Sequence, residues 1–267
     1  MSAPADSFYV ALGEGRFAST QATAGPWNPA AQHGGPPAAL LARALESVEE
    51  ATPRVLGRFT MDLLGPVPVG ELSVSVEVLR PGRSVSLRQA EIRDDTGRVA
   101  ARAQAWAFPR VEGSARTAVG LDVPPDHGPE DGRHADPPEE WYRGYLDSVE
   151  WCWIEGAVTR PGPATVWMRP RVPLVAGEPM SPLQRLLTCV DSASGASAAL
   201  DTAAWSFQNT DLTVHVVRPP EGEWVCLSAE TSIGDGAVGV AASVVHDEHG
   251  LVARSAQALL VTPRRQG

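Results

Sequence analysis

The sequence predicts an α+β fold built twice: a long central helix, largely buried and covered on one face by a curved antiparallel sheet, then a second copy of the same unit. Three observations carry this reading. The first is an internal repeat. Asp94 to Gln104 and Asp247 to Gln257 are each a turn running into a strand, offset by 257 − 104 = 153 residues. Six of eleven positions are identical: Asp94/Asp247, Gly97/Gly250, Val99/Val252, Ala100/Ala253, Ala103/Ala256 and Gln104/Gln257. A period near half of a 267-residue chain marks a duplicated unit. The second is one proline-led, Ala- and Leu-rich run per half. The third is the set of about four alternating strand-like runs that follows each of them.

The elements follow in order. Residues 7–23 mix Phe8, Tyr9, Val10 and Phe17 with small residues and supply one or two short strands. Gly25-Pro26-Trp27-Asn28-Pro29 is a turn-rich loop. After His33-Gly34-Gly35-Pro36-Pro37, the apolar residues Leu41, Ala44, Leu45 and Val48 recur at helical spacing, with proline just inside the start. Strands are expected at Val55–Leu64, Glu71–Val78, Ser84–Ile92 and Val99–Phe108, with hairpin turns at Pro81-Gly82 and Asp95-Thr96-Gly97. Residues 109–140 turn acidic and Pro-rich, as an exposed linker does. In the second copy, strands are expected at Val149–Gly156 and Thr165–Arg169, and a helix over Pro182–Leu200. Four more strands follow at Asp211–Val217, Trp224–Thr231, Val238–His246 and Leu251–Val261. The units are therefore 1–110 and 141–267, with 111–140 as the linker and the two sheets joined edge to edge.

Composition narrows the function. Net charge is −10, which sets a nucleic-acid partner aside. All 22 basic residues are arginine, so lysine Schiff-base chemistry is excluded. Three scattered cysteines, Cys152, Cys189 and Cys226, argue against a disulfide framework, and without a CxxC a structural zinc site is not expected. Met1 to Val10 has no signal-peptide pattern and no apolar run reaches about 20 residues, so the expectation is a cytoplasmic protein that does not span a membrane. His246-Asp247-Glu248-His249 looks metal-like, but its repeat mate Arg93-Asp94-Asp95-Thr96 has no histidine, which reads as a solvated hairpin. The serines of Ser192-Ala193-Ser194-Gly195 lack the Gly-x-Ser-x-Gly elbow, and no Walker or Rossmann glycine pattern occurs.

Two copies of helix-then-meander, a Gly-Gly helix entrance and a Gln near the end of the last strand resemble the double hotdog fold, and more narrowly the TesB type of acyl-CoA thioesterase. The resemblance spans about His33 to Val261. It implies hydrolysis of an acyl thioester on coenzyme A or an acyl-carrier protein, with no cofactor and no metal, by a bacterial enzyme of lipid or polyketide metabolism. It leaves homo-oligomerisation open. It also implies a water held by an Asp on the second helix, a small polar residue on the following strand and a Gln on the last strand. These match Asp191, Asn209 (with Thr210 one residue on) and Gln257. His33, Gly34 and Gly35 are expected to contact the substrate. In this family the slot at Asn209 is usually Thr, a departure that keeps a second reading in view: a non-hydrolytic hotdog protein that binds an acyl or polyketide-like ligand or transforms it differently.

The residues support that chemistry independently. Asp191, expected inside a helix rich in Leu, Val, Ala and Ser, is a costly carboxylate unless paired or functional. It is a candidate general base, and the amides of Gln257 and Asn209 are able to orient a water. First-turn N–H groups at Gly34-Gly35 are donors for a developing oxyanion. Against this, Asp191 and Gln257 both have structural readings as hydrogen-bonding residues, and His33 beside two glycines reads first as a loop histidine. Aligning Pro36 with Pro182 puts Leu45 at the place of Asp191, so the first copy is expected to keep the glutamine, as Gln104, and to lack the acid.

Overall fold

The computed structural model describes residues 6–111 and 126–264. The strands are β1 (Tyr9–Gly13), β2 (Arg16–Ser19), β3 (Arg54–Leu63), β4 (Glu71–Arg80), β5 (Ser86–Asp94), β6 (Val99–Pro109), β7 (Val149–Ala157), β8 (Arg160–Pro170), β9 (Trp205–Asn209), β10 (Asp211–Val216), β11 (Val225–Ile233), β12 (Val238–Asp247) and β13 (Gly250–Pro263). The helices are α1 (Gly35–Glu46), α2 (Gly144–Ser148), α3 (Pro182–Val190) and α4 (Ala193–Ala196). The strands form one sheet in the order β1-β2-β4-β5-β6-β3-β10-β13-β12-β11-β8-β7, with β9 pairing β13. All named pairings are antiparallel. No helix among the described residues is long and apolar enough to cross a membrane.

The seam of the sheet is β3 against β10, where Thr60 faces Thr213. Their separation, 213 − 60 = 153, equals the offset of the sequence repeat. Thr60 and Thr213 thus sit on a local two-fold, with Met61 facing Leu212 and Phe59 facing Val214, and strand order runs outward alike on both sides. The pairing buries two edges that would otherwise be open to other chains.

The α1 helix begins on prolines, and nearly all its residues from Gly35 to Leu45 are buried. It packs antiparallel to α3. At one end Arg43 pairs with Glu178 (2.7 Å), and Ser181 (2.8 Å) and Gln184 (2.8 Å) donate to Glu46. At the other end Gly35 lies so close to α3 that a Cβ there would overlap the carbonyl oxygen of Thr188. This crossing is what requires glycine at position 35.

Three expectations are corrected, in whole or in part. The helix expected over Pro182–Leu200 stops at Val190, with Asp191 as its C-cap, and a separate turn forms at Ala193–Ala196. Bonds to distant elements accompany the break: the Ser194 N–H, which in a continuous helix would donate to the Val190 carbonyl, donates to Gln257 Oε1 (3.2 Å), and Ser192 Oγ bonds the Tyr145 hydroxyl (2.9 Å). The exposed-linker reading falls partly on residues 112–125, outside the described residues. Residues 126–140 are largely exposed, but they are strapped to β7 and β8: Arg133 and Trp153 exchange backbone hydrogen bonds (2.9 and 2.8 Å), and Trp167 Nε1 donates to the His127 carbonyl (2.9 Å). The hairpin at His246–His249 is only half solvated: Glu248 and His249 are exposed, whereas His246 and Asp247 are buried. Asp247 is fully buried, bidentate to Arg218, and accepts the N–H groups of Glu221 and His249 (both 2.8 Å). Arg218 holds its carboxyl below the usual range against the opposing effect of burial, the largest single influence.

The third correction concerns the repeat itself. Asp94 closes on Arg98 around three residues, whereas Asp247 closes on Gly250 around two. Downstream of the turn the offset is therefore 250 − 98 = 152. The burial patterns agree: Ala100 and Ala101, then Ala103 and Ala105, match Val252 and Ala253, then Ser255 and Gln257. The structural mate of Gln257 is Ala105. Gln104 points to the opposite face, where its Nε2 donates to Gln89 (3.0 Å). The first copy does not keep the glutamine.

Gly35→Ala is expected to destabilise the chain by about 1–3 kcal/mol through overpacking, despite the better helix propensity of alanine. Thermal unfolding checks this; an unchanged or raised midpoint would contradict the crossing described here.

Candidate active site

Where α3 ends against the start of α1, Asp191 meets three groups from distant parts of the chain. Its side chain is 4% exposed. Oδ1 accepts from Asn209 Nδ2 (2.8 Å) and from Gln257 Nε2 (3.0 Å). Gln257 Nε2 also donates to the Asp191 carbonyl (3.1 Å), and its Oε1 accepts the Ser194 N–H (3.2 Å), so the glutamine ties the turn after α3 to β13. Oδ2 lies 3.4 Å from His33 Nδ1 and close against Gly34, where a Cβ would fall 2.6 Å away.

Each position follows from its element. Asn209 ends β9, and the chain slips one residue at Thr210 before continuing as β10. The slip turns Asn209 inward toward Asp191. Thr210 N–H donates to the Ala258 carbonyl (3.0 Å) and its hydroxyl reaches the same carbonyl at 3.4 Å, so the structure brings Asn209, and not Thr210, to the carboxylate. Gln257 sits on the buried face of β13, between the inward Ser255 and Leu259.

His33 is fixed by its N–H donating to the Thr23 carbonyl (2.8 Å) and by its ring stacking on Tyr145, with centroids 3.7 Å apart and planes within 4°. The Gly35 N–H donates to His33 Nδ1 at 3.1 Å. That assigns the proton of the neutral ring to Nε2. Burial lowers the His33 pKa and the Asp191 carboxylate opposes the shift. Tyr145 donates to the Thr188 carbonyl (2.7 Å) and shares a hydrogen bond with Ser192 Oγ (2.9 Å). Burial pushes its phenol well above the ordinary value.

Asp191, His33, Gly34, Asn209 and Thr210 line a cavity of about 380 Å³. Gln257 lies behind Asp191, fully buried. Gly35 does not line the cavity; it serves the helix crossing and the His33 bond. The residues that sequence reasoning missed are the aromatic walls, Trp27, Trp141, Trp151, Trp153 and Phe207, together with Tyr145. One signal was available: Trp151 and Trp153 alternate on a strand and so share a face. Elsewhere, His134, Glu150 and Cys152 bring ligand atoms within 4.8 Å of one another, but Glu150 is held by Arg169 at 2.7 Å and burial raises the Cys152 thiol.

Comparison with known proteins matches this architecture. Residues 23–108 match the model of the acyl-CoA thioesterase N-terminal domain, and residues 125–261 that of the acyl-CoA thioesterase C-terminal domain. No curated protein matches the chain. Among solved structures, a provisionally named thioesterase II from Thermobifida fusca is similar with a TM-score of 0.76 at 20% identity over 96% of both chains. A protein of unknown function with a hot dog fold from Alicyclobacillus acidocaldarius follows with 0.71 at 19% identity over 98% of both. The tesB protein of Mycobacterium avium subsp. paratuberculosis gives 0.68 at 19% identity over 96% of both. With two family domains covering most of its length and the hot dog fold in a structural neighbour, the chain belongs to the acyl-CoA thioesterase family and is a hydrolase of acyl thioesters.

Proposed function

We propose that the chain is a double hotdog enzyme, with units 1–110 and 141–267, that hydrolyses a thioester of CoA or of a carrier protein's pantetheine arm at Asp191. The observation that carries the proposal is the convergence of Asn209 and Gln257 on one oxygen of a buried carboxylate that borders a cavity. Two amide donors on Oδ1 fix the carboxylate plane and leave Oδ2 for a water.

The chemistry follows. Asp191 takes a proton from that water as its oxygen attacks the acyl carbonyl carbon. A C–O bond forms and the carbonyl becomes an oxyanion, facing the Gly34 N–H and the positive end of α1; the Gly35 N–H is taken by His33, and Pro36 and Pro37 have none. The oxyanion collapses, the C–S bond breaks, and the thiolate takes the proton from Asp191. The products are a carboxylic acid and a thiol. Asn209 and Gln257 hold the acid, Gly34 lets it approach the helix start, and His33 stands beside Oδ2.

A panel of acyl-CoA esters with a thiol reagent tests the activity, and Asp191→Asn tests the base. The variant is expected to keep its circular dichroism spectrum and to lose about 10²–10⁴-fold in kcat, the usual contribution of a general base. Near-native turnover in the folded variant would remove Asp191 from this role.

The same substitution tests the coupling to His33. A carboxylate beside an imidazole favours the imidazolium, so removing the charge removes the influence that raises the His33 pKa. In Asp191→Asn the His33 ring is expected to titrate at lower pH than in the native chain, followed by NMR of its C–H protons. An unmoved midpoint would show the two groups to be uncoupled.

A further inference from the structure

We infer that the acyl group accepted by this cavity ends in a neutral aromatic ring, an inference that rests on the thioesterase reading above and narrows its substrate. Four of the chain's eight tryptophans line the cavity. Trp151 and Trp153 share the inner face of β7 with rings 6.0 Å apart and planes within 11°. Trp27 and Trp141 meet edge to face at 4.3 Å, and Phe207 adds a fifth ring to the walls. The rings also connect to the acid. His33, beside Asp191, stacks on Tyr145, and Tyr145 meets Trp151 edge to face at 6.2 Å and 84°. Tyr145 is fully buried behind the lining, so it braces His33 and Trp151 from behind while the tryptophans and Phe207 form the walls themselves.

Such walls discriminate. Ring faces are electron-rich and ring edges electron-poor, so an entering ring gains offset-stacked and edge-to-face contacts beyond the area it buries. A flexible alkyl chain buries area but gains no such contact, and it loses rotamer freedom on being held. The charge of the lining sets the second property. Among the described residues that line the cavity Asp191 is the one carboxylate and none is an arginine; Arg264, over the Trp27 ring at 5.1 Å, donates to the Thr202 carbonyl, so the lining itself offers an anionic substituent no ion pair.

The fold provides an internal control. A second cavity of about 450 Å³ lies at the other end of the helix pair, between the end of α1 and the start of α3. It holds Val55, Leu56 and Leu183 beside Arg54, Arg88 and Arg218, and no aromatic residue. Two comparable spaces in one duplicated fold therefore have different linings. The aromatic surface belongs to the Asp191 side and not to the architecture.

The test pairs phenylacetyl-CoA with octanoyl-CoA and 3-phenylpropanoyl-CoA with nonanoyl-CoA. Each pair matches in carbon number, and in neither does the ring conjugate with the carbonyl and change its reactivity. The expected result is a kcat/KM about tenfold higher for the aryl ester, the size of one or two ring pairs. Straight-chain esters turned over as well or better would overturn the inference. Affinity for the same esters, measured by calorimetry on Asp191→Asn, gives the answer without turnover. An aryl preference there stands even if the native chain cleaves none of them, an outcome that would sink the thioesterase reading instead. Equal affinities would sink the aromatic one. Trp151→Leu keeps an apolar side chain and removes the ring, and the aryl-to-alkyl ratio is expected to fall toward one. Trp27→Leu, at a half-exposed position, repeats the test where folding is not at stake, and a ratio unchanged in both variants would overturn the assignment of these walls.

Discussion

Close contact between the start of α1 and the end of α3 is the constraint on which the site depends. Gly35 sits against the Thr188 carbonyl and Gly34 against the Asp191 carboxylate, and neither approach leaves room for a Cβ. Because the helices run antiparallel, this packing sets the C-cap residue of one at the N-terminus of the other. A buried carboxylate costs several kcal/mol unless it is paired or hydrogen-bonded. Here two amide donors satisfy one oxygen, and the positive end of α1 adds roughly 0.3–1 kcal/mol, up to about 2 where partly buried. Tyr145 secures the arrangement by donating to the same Thr188 carbonyl that excludes a side chain at position 35, and it lends its ring face to His33.

Duplication makes two such crossings, and the sequence has differentiated them. At the other one, Glu46 at the end of α1 accepts from Ser181 and Gln184 at the start of α3, while Arg88 reaches the Leu45 carbonyl and Glu50. Burial raises the Glu46 pKa, and those same hydrogen bonds partly offset it. Leu45 replaces the acid and Ala105 replaces the glutamine. One residue in a turn accounts for the second change. Asp94 and Asp247 play similar parts in their hairpins, yet the first loop is longer by one, and a one-residue slip sends every later side chain to the other face.

This explains what was legible. The strands could be read because their alternation is local, and most observed bounds fall within two residues of those expected. The end of α3 could not, because Ala193 and Ala196 continue the helical spacing while the Asp191 and Ser192 side chains and the Ser194 N–H bond distant partners that spacing does not encode. The convergence of Asp191, Asn209 and Gln257 rested on resemblance, since nothing local links residues 18 and 66 positions apart. Gln104 misled for a physical reason: identity matching counts positions, whereas a sheet counts faces. The aromatic cavity was hidden because its walls arise at residues 27, 141, 151, 153 and 207, and only the Trp151/Trp153 alternation can be seen in one segment.

The groups around Asp191 bear on whether water or a side chain attacks in the proposed mechanism. Cys189, Cys152 and Cys226 are free but buried, and burial pushes the Cys226 thiol up to about 12 and the other two upward as well. None is a ready thiolate. Ser192 borders the cavity, but its hydroxyl is shared with Tyr145, whose own raised pKa disqualifies it as a base. His33 has Nδ1 occupied by the Gly35 N–H in its neutral form, and burial opposes its charged form. Asp191 is left as the group that combines a fixed orientation, a bordering cavity and an oxygen not taken by the two amides. Under the proposed mechanism a carboxylate so placed activates a water, and the hydrolysis passes through no covalent intermediate on cysteine, serine or histidine.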